Sequence, residues 1–180
     1  MPGKAKVYRV NNCMVSNPHS YCRPGAMRIR NLQSGDEPAL WEVFYTAIHT
    51  TASADYTTEQ LDAWAPLGIN FDKWESRMQG MAPFVVEDDH EKLIAYANVH
   101  PSGYIDHFFV SPTVGRKGIG SMLMEKILET AASRGTESLF ADVSLNAKPF
   151  FEKWGFMTET LQTVSIRGVN LVNAKMRKAL

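Results

Sequence analysis

The segment from Phe108 to Met124 has the spacing most suggestive of chemistry, because a strand-like run is followed by a glycine turn and a helix-like run. Gly118 and Gly120 allow the backbone to turn tightly and let a bulky anion approach the main-chain amides. The helix that follows presents its first unbonded N–H groups and its positive dipole end at the same place. These features predict a pyrophosphate site, to which Arg116 and Lys117 add charge-assisted contacts.

A glycine turn of this kind is shared with other nucleotide-binding proteins and with ordinary strand-to-helix turns. The Rossmann pattern is disfavoured because its third glycine and its later acidic residue are missing, and the Walker pattern is absent. A nucleotide-binding α/β protein of another family is therefore a rival interpretation. Such a protein would bind ATP or NAD.

The strand before the glycine turn holds the candidates for acid–base chemistry. Alternation along this strand predicts two faces, Tyr104, Asp106 and Phe108 on one and Ile105, His107 and Phe109 on the other. Asp106 is a candidate base, acting directly or through water, or else a structural carboxylate. His107 titrates in the useful range but also fits a structural role. Tyr104 is a candidate proton donor or substrate contact.

The elements that must position these residues follow from capping and turn signals. Helices are predicted to begin at a capping box spanning Ser34–Glu37, with Asp36 as a competing N-cap, at a second box spanning Thr57–Gln60, and at Asn70. Short apolar runs then predict three strands in an antiparallel meander, of which the last is 104–110.

The second half of the chain predicts a crossover. A helix from about Gly118 to Arg134 separates strand 104–110 from the run Leu139–Val143, so the two strands should be parallel neighbours. A short helix near 149–154 and two strands turning at 167–168 follow. The predicted fold class is α/β (α+β), a mixed, mostly antiparallel sheet with helices on both faces.

Composition limits the organisation and the partners of the chain. Residues 1–26 are predicted to be an irregular N-terminal extension, and residues 27–180 a single domain. The extension holds Cys13 and Cys22, which either pair in an oxidising compartment or remain free thiols in a cytosolic protein.

The formal net charge of +0 provides no long-range attraction for nucleic acid or membrane. We therefore expect a cytoplasmic protein with neither partner.

Three motifs in the right order resemble the GCN5-related N-acetyltransferase (GNAT) superfamily over about 27–180. The first motif is similar to the family's Val-x-Pro turn followed by a Gln/Arg-x-x-Gly-x-Gly/Ala segment. The residues that match are Val110, Pro112, Gly118, Ile119 and Gly120. The Gln/Arg position does not match, because it holds Gly115. The second, Ala147-Lys-Pro-Phe-Phe-Glu-Lys-Trp-Gly-Phe156, is similar to Ala-x-x-x-Tyr-Glu-Lys-x-Gly-Phe. The third, Gly168–Met176, resembles the closing strand of a bacterial subgroup.

This resemblance implies an enzyme that transfers an acetyl group from acetyl-CoA to a primary amine by direct attack in a ternary complex, without a metal. It implies that strands 104–110 and 139–143 splay apart at the centre of the sheet. The edge of Phe108–Val110 would pair with the pantetheine, the amides from Arg116 to Ser121 would hold the pyrophosphate, and Ala147–Phe151 would flank the thioester.

The same resemblance leaves the acid unassigned. Family members often use the tyrosine of the Tyr-Glu-Lys segment as proton donor, but this chain has Phe151 there, which has no proton to give. Ser144 replaces an asparagine often found a few residues earlier. The missing tyrosine keeps open a second rival, a non-catalytic acyl-CoA-binding or regulatory module.

The resemblance also implies that the first helices form the pocket for a small-molecule or peptide amine. This region is rich in rings, with Trp41, Tyr45, His49, Tyr56 and Trp64. The first three are spaced four apart and therefore share a helical face. They form either a packed core or an aromatic wall for a substrate amine. The terminal strands are in addition compatible with a homodimer.

Overall fold

The computed structural model describes residues 27–114 and 117–180. The predicted extension, residues 1–26, and the predicted phosphate contact Arg116 lie outside the described residues. Within these two ranges the chain forms two four-stranded sheets and five α-helices. None of the described helices is both long enough and apolar enough to cross a membrane.

The first sheet is antiparallel throughout and runs in the order β1-β2-β3-β5. Its strands are β1 (Arg28–Asn31), β2 (Phe84–Glu87), β3 (Leu93–Ala97) and β5 (Phe108–Val110). All five residues of β3 are buried, because helices cover both faces of the sheet. Ala95 and Ala97 pack into one hydrophobic cluster, whereas Tyr96 packs into another.

The second sheet runs in the order β4-β6-β8-β7, with β4 parallel to β6 and the other two pairings antiparallel. Its strands are β4 (Tyr104–Ile105), β6 (Ser138–Ser144), β7 (Met157–Ile166) and β8 (Val169–Ala179). The predicted crossover and the predicted turn at 167–168 are both present. The predicted fold class is confirmed, although the strands fall into two hydrogen-bonded sheets.

Five α-helices cover these sheets, and their bounds are α1 (Glu37–Thr46), α2 (Thr58–Trp64), α3 (Phe71–Met81), α4 (Ile119–Ser133) and α5 (Lys148–Lys153). A π-helical segment, Ala47–Thr51, continues α1, and a short 3₁₀ turn, Pro112–Val114, precedes α4. Buried side chains of α4 belong to the cluster on one face of the first sheet, and those of α1 to α3 belong to the cluster on the other face.

Two of the three predicted helix starts are confirmed by their caps. Thr57 and Gln60 form a reciprocal capping box, and the Asn70 side chain accepts the N–H of Lys73 at 2.9 Å. The box predicted at Ser34–Glu37 is wrong, because the competing candidate, Asp36, is the N-cap residue of α1, although its side chain makes no capping hydrogen bond.

At that first helix start other contacts replace the predicted box. The Glu37 carboxylate accepts the N–H of Gly35, and the Asp36 carboxylate pairs with Arg30 and accepts the N–H of Gln33. The Asp36 carboxylate therefore pairs with Arg30 instead of capping the first N–H groups of α1.

Candidate active site

Between β4 and β5, at Asp106 and His107, the chain passes from the second sheet to the first. The predicted single strand 104–110 is wrong, because it is divided into β4 and β5. Asn98, just beyond β3, holds His107 through two hydrogen bonds: its side-chain Oδ1 accepts the His107 N–H at 2.7 Å and its own N–H donates to the His107 carbonyl at 3.0 Å. Ile105 instead pairs with Ala141 of β6. The two sheets therefore diverge at Asp106, and a cleft opens between β5 and β6.

Side chains of residues 104–110 do not alternate between two faces as predicted, because the strand is interrupted at this junction. Ile105 belongs to the cluster that contains α4, whereas the His107 ring stacks on Phe44 of α1, with centroids 5.6 Å apart and planes at 14°. The prediction that Ile105 and His107 share a face is therefore wrong. Phe109 does lie with His107, at 5.3 Å between ring centroids.

The outer edge of β5 faces the cleft. The His107 carbonyl and the Ser111 N–H both bond to the β3 side, and Phe109 lies opposite Tyr96 in the same register. Because alternate residues of a strand direct their backbone groups to opposite edges, Phe108 and Val110 present theirs to the cleft. In the described part of the chain, no strand pairs with this edge.

The glycine turn at the start of α4 lies beyond this edge. Gly118 is the N-cap and has a positive φ of 77°, Ile119 is buried, and Ser121 is half-buried. An ideal Cβ on Gly120 would lie 3.1 Å from an atom of the Phe150 ring, so this position admits no larger side chain without movement. Lys117 is exposed. The first-turn amides of a 15-residue helix thus stand open to an anion.

Replacement of Gly120 by valine is expected to weaken CoA binding roughly 30-fold, because the branched side chain would clash with the Phe150 ring and distort the turn that the resemblance assigns to the pyrophosphate. Titration calorimetry with CoA measures the affinity, and circular dichroism checks that the fold is retained. Gly80→Val is the matched control, since a Cβ on Gly80 of α3 meets nothing within 4 Å. Unchanged CoA affinity in the Gly120 variant would refute the assignment of the turn to the pyrophosphate.

A cavity of about 580 Å³ occupies the cleft at the junction. Ten predicted site residues line it: Trp41, Tyr56, Trp64, Tyr104, Asp106, His107, Phe108, Phe109, Ser144 and Phe151. Tyr45 and His49 do not line it. Their rings pack together at 4.2 Å, and the His49 Nε2 atom is hydrogen-bonded to the Ala65 carbonyl at 2.8 Å. The structure therefore brings the predicted acid–base residues together with four of the predicted cofactor residues and three of the predicted substrate residues. Val110 and the glycine-turn residues 117–121 do not line this cavity, and neither do the two rings of Tyr45 and His49.

Asp106 and Tyr104 are each held by a charged or polar neighbour. The Asp106 carboxylate accepts a hydrogen bond from Arg77 of α3 at 3.1 Å, and its side chain is 35% exposed. The Tyr104 hydroxyl donates to the Asp142 carboxylate at 3.3 Å. Burial, together with the negative charge of Asp142, raises the pKa of Tyr104 to about 12. The phenol therefore keeps its proton at neutral pH.

His107 lies beneath the cavity as a neutral ring. Burial lowers its pKa to about 4, and the charge of Arg77 acts in the same direction. Its Nδ1 atom is 2.9 Å from the hydroxyl of Tyr96, whose pKa burial raises well above the usual value. An imidazole in this setting is a poor proton acceptor at neutral pH, so it acts mainly as part of the cavity wall.

Two other predicted residues have structural partners. The Tyr56 hydroxyl donates to the Val172 carbonyl at 2.7 Å and accepts the Leu145 N–H at 3.0 Å, so it joins β8 to the end of β6. Phe151 is buried against Phe108, at 5.5 Å between centroids, and against Phe156, at 5.1 Å. Both residues line the cavity.

Sequence reasoning missed several residues that line the cavity. Trp74 and Phe44 were not among the predicted site residues, although their helical spacing with other apolar residues is a signal that could have placed them. Arg77 and Lys73 of α3 carry no motif, and neither does Arg167 in the turn between β7 and β8. Among the residues that the structure describes, no group of three His, Cys, Asp or Glu side chains is placed to hold a metal ion.

Comparison with known proteins agrees with this geometry. The family described as "Acetyltransferase (GNAT) domain" matches residues 52–180. The chain is 34% identical over 158 residues to the "Uncharacterized N-acetyltransferase YafP" of Escherichia coli (strain K12), covering 84% of this chain and 95% of that protein. A crystal structure of a GCN5-related N-acetyltransferase from Rhodopseudomonas palustris superposes with a TM-score of 0.80 at 28% identity, covering 91% of this chain and all of that one.

More distant structures share the fold. A PaiA N-acetyltransferase from Thermoplasma acidophilum, in complex with coenzyme A, matches with a TM-score of 0.68 at 20% identity, covering 86% of this chain and 99% of that chain. The acetyltransferase yncA from Salmonella typhimurium, described as putative and solved with acetyl-CoA, matches with a TM-score of 0.61 at 18% identity, covering 85% and 93%.

Fold and site together define a transferase whose cleft opens between splayed strands. The chain belongs to the GNAT family of N-acetyltransferases. The resemblance inferred from the three motifs and the predicted enzyme class are thereby confirmed. The rival interpretation as a nucleotide-binding α/β protein of another family is wrong.

Proposed function

We propose that this enzyme transfers the acetyl group of acetyl-CoA to a primary amine by direct attack in a ternary complex. The observation that carries the proposal is the divergence of β4 and β5 at Asp106, which leaves the cleft edge of β5 without a neighbouring strand in the described part of the chain. The coenzyme A and acetyl-CoA of the two distant structures are consistent with a ligand of this shape.

The cofactor would lie along β5 as an extended chain. The carbonyl of Phe108 and the backbone groups of Val110 would bond to the amides of the pantetheine, which leaves the Phe108 N–H for the thioester. The first-turn amides of α4, from Ile119 to Ser121, would hold the pyrophosphate, with Lys117 near the outer phosphates. The thioester would then reach the junction, where Ser144 and Phe151 line the cavity.

Acetyl transfer at this junction needs a neutral amine and a stabilised oxyanion. The amine nitrogen attacks the thioester carbonyl, a C–N bond forms, and the C–S bond breaks to release the CoA thiolate. We assign the oxyanion to the Phe108 N–H, which points into the cleft. Asp106 receives the proton of the attacking nitrogen, directly or through water, and solvent returns a proton to the thiolate. Tyr104, protonated and bonded to Asp142, is a substrate contact.

The catalytic domain is proposed to extend over residues 27–180. The family match begins at residue 52, but β1 is already part of the first sheet and pairs with β2 over four residues. Arg28 and Arg30 of β1 both form ion pairs with Glu87, which is buried. Removal of β1 would leave this carboxylate buried without its partners.

Thiol release from acetyl-CoA, measured across a panel of amines, tests the proposed reaction. The expected result is amine-dependent release together with the acetylated amine detected by mass spectrometry. The competing interpretation is a regulatory module that binds acyl-CoA without catalysis. CoA binding with no thiol release for any amine would favour that module. A cytoplasmic location and a homodimer stay predictions.

A further inference from the structure

The part of the cavity formed by α1, α3 and β5 is walled by aromatic rings. Trp41 and Trp74 meet edge to face with centroids 5.0 Å apart, and Phe44 lies 5.5 Å from Trp74 and 4.8 Å from Phe109. Of the four tryptophans in the chain, three line this cavity, the third being Trp64. Ring faces and edges at these spacings favour a flat, apolar group in the ligand.

The charged residues of the same cavity leave an excess of positive charge. Asp106 is already paired with Arg77, and Asp142 accepts hydrogen bonds from Tyr104 and from Gln162. Lys73 and Arg167 also line the cavity, and in the described part of the chain neither forms an ion pair with a carboxylate. Arg167 donates one hydrogen bond to the Ala63 carbonyl at 2.6 Å, and its other guanidinium N–H groups are the donors offered to a ligand.

We propose that the acceptor is an aromatic primary amine that carries a carboxylate, of which an aromatic α-amino acid is the simplest example. This inference rests on the proposed function. The ring of the acceptor packs against the wall formed by Trp41, Phe44 and Trp74. The carboxylate is recognised by Lys73 and Arg167, which present ammonium and guanidinium donors. The amine nitrogen lies toward Asp106.

The charge balance argues against a polyamine as the acceptor. A polyamine offers several positive charges and no ring, so it would meet like charge at Lys73 and Arg167 and leave the aromatic walls without a flat partner. An aromatic amine without a carboxylate would pack against the aromatic walls but would leave Lys73 and Arg167 without an anion to bind. The two features of the cavity are therefore satisfied together only by a molecule that has both groups.

Four acceptors separate these contributions: L-phenylalanine, which has ring and carboxylate, phenethylamine, which has only the ring, L-alanine, which has only the carboxylate, and spermidine. The expected result is a kcat/KM for L-phenylalanine about 10-fold higher than for each of the others. A value for phenethylamine or L-alanine equal to that for L-phenylalanine, or a preference for spermidine, overturns the inference and leaves the acetyl-transfer function standing. Release of CoA thiol with none of the four or of the wider amine panel, despite CoA binding, overturns the proposed function itself.

The Lys73→Met variant tests the carboxylate site directly, because it retains an unbranched stem and removes only the charge. Its kcat/KM is expected to fall about 10-fold with L-phenylalanine and to stay unchanged with phenethylamine. Lys92→Met is the matched control, since Lys92 is an exposed lysine outside the cavity, and it should leave both values unchanged. An equal fall with both acceptors in the Lys73 variant, or no fall with either, overturns the assignment of Lys73 to the carboxylate.

Discussion

Replacement of Asp106 by asparagine is expected to lower kcat/KM about 1000-fold at pH 7 without weakening CoA binding. General base catalysis by a positioned carboxylate contributes on the order of 100- to 10,000-fold, and an asparagine has no basic lone pair with which to take the proton. CoA affinity should persist because the proposed contacts to the pyrophosphate and the pantetheine lie on α4 and β5 rather than at the junction. Thiol release measures the rate, and titration calorimetry measures the affinity.

The pH dependence separates a base from a residue that merely maintains the structure. As the pH rises toward 10, hydroxide can take the proton of the attacking nitrogen in place of the carboxylate, so the loss in the Asp106→Asn variant should narrow. Glu159→Gln is the matched control, because Glu159 is an exposed carboxylate paired with Arg177 and lies outside the cavity. An Asp106 variant that keeps the normal rate from pH 7 to pH 10 would remove Asp106 from the mechanism.

His107 is expected to make the fold sensitive to acid, with a loss of about 3 kcal/mol in the free energy of unfolding between pH 7 and pH 4. Its pKa is 6.5 in an unfolded chain and about 4 in the fold. Between these values the unfolded chain binds a proton that the folded chain does not, so stability rises with pH in this window. The contribution is therefore present above pH 6.5 and is lost as the pH falls toward 4.

Urea unfolding at pH 7.0, 5.5 and 4.0 measures this effect. The His107→Gln variant keeps a polar partner for Tyr96 but does not titrate, so its free energy of unfolding should fall by about 3 kcal/mol less than that of the parent chain. His90→Gln serves as control, because the side chain of His90 is 85% exposed, and this variant should retain the full acid sensitivity. Parallel pH curves for the parent chain and the His107 variant would contradict the prediction.

The elements of this fold are largely predictable because their signals are local. The box at Thr57–Gln60 and the cap at Asn70 lie within four residues of the helices that they begin, and the stripe on α4 repeats at helical spacing. The failed box at Ser34–Glu37 shows the limit of such signals. Arg30, on the preceding strand, takes the Asp36 carboxylate, and only the folded arrangement brings the two together.

The site is less predictable, since its central feature depends on contacts between distant parts of the chain. Nothing in the run 104–110 marks an interruption, because the break is fixed by the side chain of Asn98 and by the pairing of Ile105 with β6. Arg77 reaches Asp106 from a helix 29 residues earlier in the sequence. Residues with a family motif were therefore identified, whereas those contributed by α3 were not.

The open edge of β5 has a consequence for the energetics of the whole molecule. An extended ligand in the cleft would become the outer neighbour of β5 and would complete the first sheet with a strand that the chain does not supply. Amide hydrogen exchange at Phe108 and Val110 should then slow on binding, whereas that at Phe109, which already faces β3, should change little. Ligand at 100 times its dissociation constant would add about 2.7 kcal/mol to the free energy of unfolding. The co-substrate would therefore also act as a structural component of the enzyme.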